Sequence, residues 1–553
     1  MVTLRVKLLI LLLAKITLVS GTNYYVKTGG NDKADGKSDA TAWATISKVN
    51  ASSFKPGDII SFRSGDTWRE TLEINWSGGP GNFVKFTKYG VGKNPRIIGS
   101  NSVSGWINTG GNIWRSVNTF SNPRNLGFGP SVDIVFERFD NTAEWGKFKP
   151  GTSDCTAEYN WTFSSNYVQI YSTENPETKY KSVEIPQRNF CIVPNNNQYL
   201  HFDGLDLLYS SMSGITYSTH TNITNVSGCI IENCEIGFIG GSTGNQFGFG
   251  IECVYSDYII RNCEIHHCGR RGISLNLGAE GQPFTVKNIV IEGCKFHHGS
   301  HTTSLDCTVN NDGSNASIDG IIFRQNIVYE DNTSKVTYPV NQMWFQNYSG
   351  NGTINNIYIY SNIFKYWREN CIATEGITGN FYVYNNTFFE NNTAGGYYGY
   401  SYCLYSDTEK PTMKMMIKNN IFFTSFANDK QGSGAMVVLY NLNPAHFECD
   451  NNLFFRTNTL LRTHLINGSS YYMSTIRNLP NFWEDNSPFP SDPLFLSASD
   501  LHLKSGSPAI GSGTKLNLPS DFDGNAWKNP PSIGAFESYP IPPNHDTVKK
   551  KQF

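Results

Sequence analysis

Residues 263–277, CEIHHCGRRGISLNL, place His266, His267, Arg270 and Arg271 within six positions, and CKFHHGSH at 294–301 adds His297, His298 and His301. Guanidinium groups suit carboxylate or sulfate, and imidazoles titrate near neutral pH, so such a cluster could hold an anionic sugar or supply a proton donor or base. The stretch lacks the paired spacing of a closed zinc site, and no metal is expected there.

What brings the two histidine pairs together is a repeat. IIENCEI (230–236), IIRNCEI (259–265) and VIEGCKF (290–296) align on a column that reads Leu205, Cys234, Cys263, Cys294, Asn326, Asn362, Asn386, Asn420 and Asn452, at steps of 24 to 36 residues. A second column runs two positions later through Leu207, Ile236, Ile265, Phe296, Val328, Phe364, Phe388, Phe422 and Phe454. Each unit holds a short alternating run, a turn and a second short run, without a heptad or a long 3.6-residue pattern. This predicts an all-β chain folded as a parallel β-helix, whose coils stack about 4.8 Å apart so that equivalent side chains form ladders. His266 then stacks on His297 and His267 on His298, while Arg270 and Arg271 approach His301. Stacked Asn amides hydrogen-bond along the column, and stacked Cys and Leu fill it by packing. The twelve cysteines are expected mostly as buried free thiols.

The composition agrees. Aromatics make up 14% and charged residues 16%, with 51 glycines, a balance suited to short strands and turns. A formal net charge of −2 argues against a nucleic-acid partner. The opening MVTLRVKLLILLLAKITLVSG reads as an export signal over 1–21, too short to span a bilayer, so the chain is expected to be secreted, extracellular or periplasmic, with no membrane span and as a monomer.

The repeat, the opening YYVKTGGNDKADGKSDATAWATISKVN (24–50) and the closing DPLFLSASDLHLKSGSPAIGSG (492–513) resemble those of secreted right-handed parallel β-helix proteins of the pectin-lyase-like group, over most of the mature chain. The resemblance implies a right-handed parallel β-helix with an N-terminal capping helix and first coils over 22–100, a main stack over 191–490, a C-terminal capping segment over 491–540 and a tail over 541–553. Between 101 and 190 the repeat is lost, which predicts a β-rich insertion acting as a lid, a substrate platform or an edge cap.

GRRGISLNL resembles the GHGISIGS stretch of polygalacturonases, whose strand lines the substrate cleft. Carried over, that strand recurs as GIECVY (250–255), SLDCTV (304–309), QMWFQN (342–347), NCIATEG (370–376) and YCLYSD (402–407). Alternation then turns Glu252, Ser274, Asp306 and Trp344 outward. Glu252 and Asp306 lie two coils apart, about 9.6 Å by strand spacing, near the separation of about 6.5–9.5 Å that inverting glycosidases use. Glu375 and Asp407 are alternative acids. Trp344, Tyr366, Trp367 and GGYYGYSY (395–402) could stack on sugar rings. The two-Asp run of polygalacturonases and the aspartate-rich calcium pattern of pectate lyases are absent, so no catalytic residue carries over by motif. No cofactor is required; the loop NNDGSNASIDG (310–320) has oxygen donors for Ca²⁺ but not the spacing of an EF-hand.

These residues point to an extracellular enzyme that cleaves a polysaccharide. In the first form it is a glycoside hydrolase using Glu252 and Asp306, with Arg270, Arg271, His301, Trp344 and Glu375 holding an acidic or sulfated sugar. In the second it is a polysaccharide lyase in which arginine neutralises a uronate and His267, His298 or Lys295 removes the C5 proton. The third form is a non-catalytic glycan-binding or adhesion solenoid.

Overall fold

The computed structural model describes residues 21–538 apart from 127–131, 217–226, 242–246, 278–284, 311–314, 331–340, 350, 392–400, 408–409, 425–434, 458–461 and 480–482. The expected export signal therefore lies outside the described residues except for Gly21, as do the tail beyond 538, the centre of the calcium-candidate loop and Tyr397, Tyr398 and Tyr400 of the tyrosine-rich stretch.

The chain winds into a right-handed parallel β-helix with three faces. Among the described residues the first face has twelve strands, from Asn23–Val26 to Phe447–Asp450, and the second has eleven, from Thr67–Trp68 to Leu453–Arg456. The third has twelve, from Leu72–Glu73 to Ser469–Tyr472. Pairing along each face is parallel until the last pair of the third, where Arg462–Ile466 and Ser469–Tyr472 run antiparallel and end the sheet. Where a capping helix is expected, the chain forms a helix of five residues, Ile46–Asn50, whose N-cap Thr45 side chain accepts from Lys48 N. Ile46 and Val49 on it join Trp43 and Phe54 in the main core.

The repeated dipeptides NC, GC and NN explain the corner between the first two faces. Asn233, Asn262, Gly293, Gln325, Ser361, Asn385, Asn419 and Asn451 all sit at φ between 48° and 62°, the left-handed region that Asn and Gly enter at least cost. The next residue in each coil turns inward and forms the ladder. Asn326 N and Nδ2 donate to Asn362 Oδ1 (2.9 and 3.2 Å), Asn362 to Asn386 (3.0 and 3.0 Å), Asn386 to Asn420 (3.0 and 3.1 Å) and Asn420 to Asn452 (2.9 and 3.0 Å). Cys294 N joins the same ladder by donating to Asn326 Oδ1 at 2.8 Å. Beside it Phe364, Phe388, Phe422 and Phe454 stack at centroid spacings of 5.1, 4.9 and 4.9 Å, close to the distance between coils. All twelve cysteines are free and buried.

Residues 100–186 leave the stack and build two small sheets around a core of Phe136, Trp161, Ile170 and Tyr180. The strands that follow, Phe190–Val193, Leu200–Asp203 and Asp206–Leu208, pair directly on Leu72–Glu73, Val84–Tyr89 and Arg96–Ile98, so the insertion is looped out without breaking the register of the solenoid. Two ion-pair networks dock it. Arg69 forks onto Glu184, donating from Nη1 to Oε2 (2.6 Å) and from Nη2 to Oε1 (3.0 Å). Arg96 and the Tyr209 hydroxyl both donate to Glu137 Oε1, and Ser182 Oγ donates to Oε2.

Burial pushes the Glu137 carboxyl up, but the Arg96 charge and these hydrogen bonds outweigh it and hold its pKa at about 2. A folded-state pKa below the unfolded one stabilises the fold at higher pH. The contribution is full above about pH 4.5 and is lost as pH falls through about 2, and it is on the order of 3 kcal/mol. Denaturant unfolding should therefore show wild type ahead of Glu137→Gln at pH 7, with the gap closing toward pH 2; a gap independent of pH would sink this assignment.

The C-terminal segment, expected as a capping segment, runs along the outside of the second face. Phe495, Leu501, Phe522, Ile533 and Phe536 pack on outward residues Ile327, Ile363, Phe389, Ile421 and Leu453. Gln325, Ser361, Asn385 and Asn419 donate from their side chains to carbonyls of Asp521, Ser520, Ser532 and Thr514. The left-handed corner residues thus serve twice, as turns and as anchors.

Candidate active site on the third face

Strand register sets two outward rows on the third face. One runs Glu252, Ser274, Asp306, Trp344, Ala373 and Tyr405, and the other Asn276, Thr308, Gln346, Glu375 and Asp407. Glu252 and Asp306 are therefore two coils apart, with Ser274 between them, as the alternation predicts.

Their surroundings differ from expectation. Asp306 is 0% exposed. Thr302 Oγ1 donates to its Oδ2 (3.0 Å) and Thr308 Oγ1 to its Oδ1 (2.9 Å), while Arg271 Nε pairs with Oδ2 at 2.9 Å. A carboxylate covered by neighbouring side chains is tolerable only when paired and hydrogen-bonded, and Arg271, itself buried, meets that need together with the threonines. Asp306 and Arg271 are thus a structural pair, not a wall acid and an open sugar-binding cation. Glu252 is also buried and accepts from Ser213 Oγ at 3.0 Å.

The histidines stack as predicted, with His266 and His297 buried and His267 and His298 half-buried. His266 lies on His297 at 4.9 Å and 3°, and His267 on His298 at 4.6 Å and 5°; Phe238 extends the second stack below His267 at 4.3 Å. Within each coil the paired rings share a proton between Nδ1 atoms, at 2.8 Å for His266 and His267 and 2.6 Å for His297 and His298. His266 Nε2 faces Glu235 (3.2 Å) and His297 Nε2 faces Glu264 (2.9 Å). Burial, with the adjacent imidazoles, drives His267 well below its ordinary pKa and His297 down to about 3. His267 and His297 are therefore neutral near pH 7, and His267 is half-buried, with one face of its ring against Phe238. His266, His267 and His297 do bring ligand atoms within 4.8 Å of one another, a juxtaposition the linear spacing did not suggest. Lys295 pairs with Glu264 at 2.9 Å; burial would lower its pKa, but Glu264 outweighs this, so it stays protonated.

His301 stands at the edge of this cluster, stacked on Trp344 at 5.2 Å with Nδ1 3.1 Å from Thr302 Oγ1. Burial, helped by Arg271 and Arg270 against the pull of Asp306, pushes its pKa down to about 4. Arg270 is half-buried, Trp367 lies in the core, and Tyr366 is half-buried.

The accessible acids are Glu375 and Asp407, neighbours on successive coils and both half-buried. Burial pushes the Glu375 carboxyl up, and the Asp407 charge adds to the shift. Tyr348, 50% exposed, points its hydroxyl at Glu375 Oε2 (3.5 Å) and receives a hydrogen bond from Gln346 Nε2. Asp407 accepts from Asn441 Nδ2 (2.9 Å) and from the Tyr405 hydroxyl (3.1 Å). Sequence reading ranked this pair second and missed Gln346 and Tyr348. Gln346 lies on the same outward row, so the two-residue period could have found it; Tyr348 follows the strand's end, where alternation no longer guides.

Fold and site define a right-handed parallel β-helix with a carboxylate-bearing third face. No protein-family model matches the chain, and no curated protein matches it. Among solved structures it is similar to pectate lyase Pel9A, at 13% identity over 94% of this chain and 96% of that one with a TM-score of 0.49. It is similar to XylC in complex with xylose, at 12% identity over 93% and 98% with a TM-score of 0.48. A chain described as a glycoside hydrolase is 10% identical over 73% of this chain and 94% of that one, with a TM-score of 0.44. The chemistry is read from the side chains themselves.

Proposed function

We propose that this chain is an exported enzyme that hydrolyses glycosidic bonds of a polysaccharide on its third face, with Glu375 as proton donor and Asp407 as its ionised partner. The observation that carries this reading is Glu375, a reachable carboxyl whose pKa is raised by burial and by a second acid one coil away. Two carboxyl groups kept in different protonation states are what glycoside hydrolysis needs. Adjacent coils put the two backbones about 4.8 Å apart, closer to the separation of about 5–5.5 Å of retaining enzymes than to that of inverting ones. The exposed Tyr348 ring and the half-buried Trp344 supply apolar faces for sugar rings on either side of Gln346.

A second reading, β-elimination, has His301 in its favour, since a ring with a pKa of about 4 is a free base near neutral pH and stands beside Arg270. Incubation of the purified chain with a panel of neutral, pectic, algal and sulfated polysaccharides separates the two. New reducing ends without ultraviolet absorbance of an unsaturated uronate support hydrolysis. The unsaturated product supports the lyase, and binding without either product overturns both.

A further inference from the structure

At the last coil the interior changes chemistry. The inward column Ile372, Leu404 and Val437 on the third face ends in His464, and the inward column Ile359, Val383 and Ile417 on the first ends in Cys449. The asparagine ladder ends on Glu484, whose Oε1 and Oε2 accept from Asn452 Nδ2 at 3.1 and 3.2 Å. Ser487 Oγ also donates to Glu484. Three side chains that never met in the periodic part of the core thus converge, with one ligand atom of each within 4.8 Å of the others, and His464 and Glu484 are both 0% exposed.

Their geometry is poor for an ordinary buried ion pair. His464 Nδ1 lies 2.9 Å from Thr463 Oγ1, while Nε2 lacks a hydrogen-bond partner among the described residues although Glu484 Oε1 is 3.4 Å away. A fully buried acceptor and imidazole nitrogen facing each other without an aligned proton should be costly. Two ligands on a tetrahedral zinc, each bonded at about 2.0–2.1 Å, are held about 3.3–3.4 Å apart, which matches that separation. The contact to Thr463 is the outer hydrogen bond that metal-binding imidazoles commonly make through their other nitrogen, and Asn452 and Ser487 do the same for the carboxylate.

We propose that Cys449, His464 and Glu484 bind a zinc ion that closes the C-terminal end of the solenoid core. A thiolate, a carboxylate and a neutral imidazole cancel the charge of Zn²⁺, so the filled site adds no net charge to an apolar interior. Three protein ligands leave the fourth position to a water. The role is structural, since the site is sealed from solvent and lies beyond the candidate active site along the stack. It is independent of the proposed catalytic reading.

Metal analysis of the full chain expressed in zinc-replete medium and purified without chelator should find about one zinc per molecule. Cys449→Ser and His464→Gln should lose it, whereas His297→Gln, in the separate histidine stack, should keep it. Because the first two variants could fail to fold, wild type expressed in cobalt-supplemented medium gives a second measurement. Among the described residues this is the one group of close ligand atoms that includes a thiol, so a thiolate-to-cobalt charge-transfer band with tetrahedral d–d bands identifies it. Folded wild type that carries neither zinc nor cobalt overturns the proposal, as does metal that remains bound in both ligand variants.

Discussion

Replacing Glu375 by glutamine should lower kcat on polysaccharide by about 10²–10⁴-fold, the range expected when a positioned general acid is removed, with the unfolding midpoint little changed. Glutamine keeps the volume of the side chain and can still meet the Tyr348 hydroxyl, but it has no acidic proton to give the leaving oxygen. The loss should therefore fall on kcat more than on KM. It should also shrink on aryl glycosides whose leaving group departs without protonation, a rescue that a merely structural defect would not show. The pH dependence has a definite sign: burial and Asp407 raise the Glu375 pKa, so the active, protonated form persists above the ordinary carboxyl range and activity falls as pH climbs through the raised value. Asp306→Asn provides the contrast. It leaves buried Arg271 facing a neutral amide, so it should cost stability first. Wild-type kcat in Glu375→Gln would move the chemistry elsewhere on the third face.

The largest stability effect should come from the ladder. Asn386→Ala should destabilise the chain by about 3–5 kcal/mol, because one truncation strands several groups in the dry core. The Asn362 N–H and amide both lose Asn386 Oδ1, and the Ile359 carbonyl loses the donor Asn386 Nδ2 (2.9 Å). None of these can turn to water, and a void replaces the amide. Cys294→Ala, in the same column, should cost clearly less, since Cys294 Sγ makes only long contacts of 3.4 Å or more, donating to two carbonyl oxygens and accepting from Cys263 N, and removes no full amide. Denaturant midpoints of the two variants test the comparison. Equal losses would mean that the column works by packing alone.

Much of the architecture was legible because the solenoid is periodic. The columns Cys234, Cys263, Cys294, Asn326 and Phe364, Phe388, Phe422, Phe454 repeat wherever the same inward position recurs, and the corner residues before them are those that accept a left-handed backbone. Local rules of that kind also placed His266 over His297 and set Glu252 and Asp306 two coils apart. Which of these groups is reachable was another matter. Exposure depends on side chains arriving from other coils and from irregular turns, and no period in the sequence records where they end. Arg271 folding onto Asp306, Phe238 stacking on His267, and the C-terminal segment lying along the second face are of this kind. So is the meeting of Cys449, His464 and Glu484, which needs the ends of three separate columns to converge. The chain's own repeat determined the stack, because backbone pairing answers to neighbours one coil away. The site was decided by burial, which depends on everything packed around a group at once.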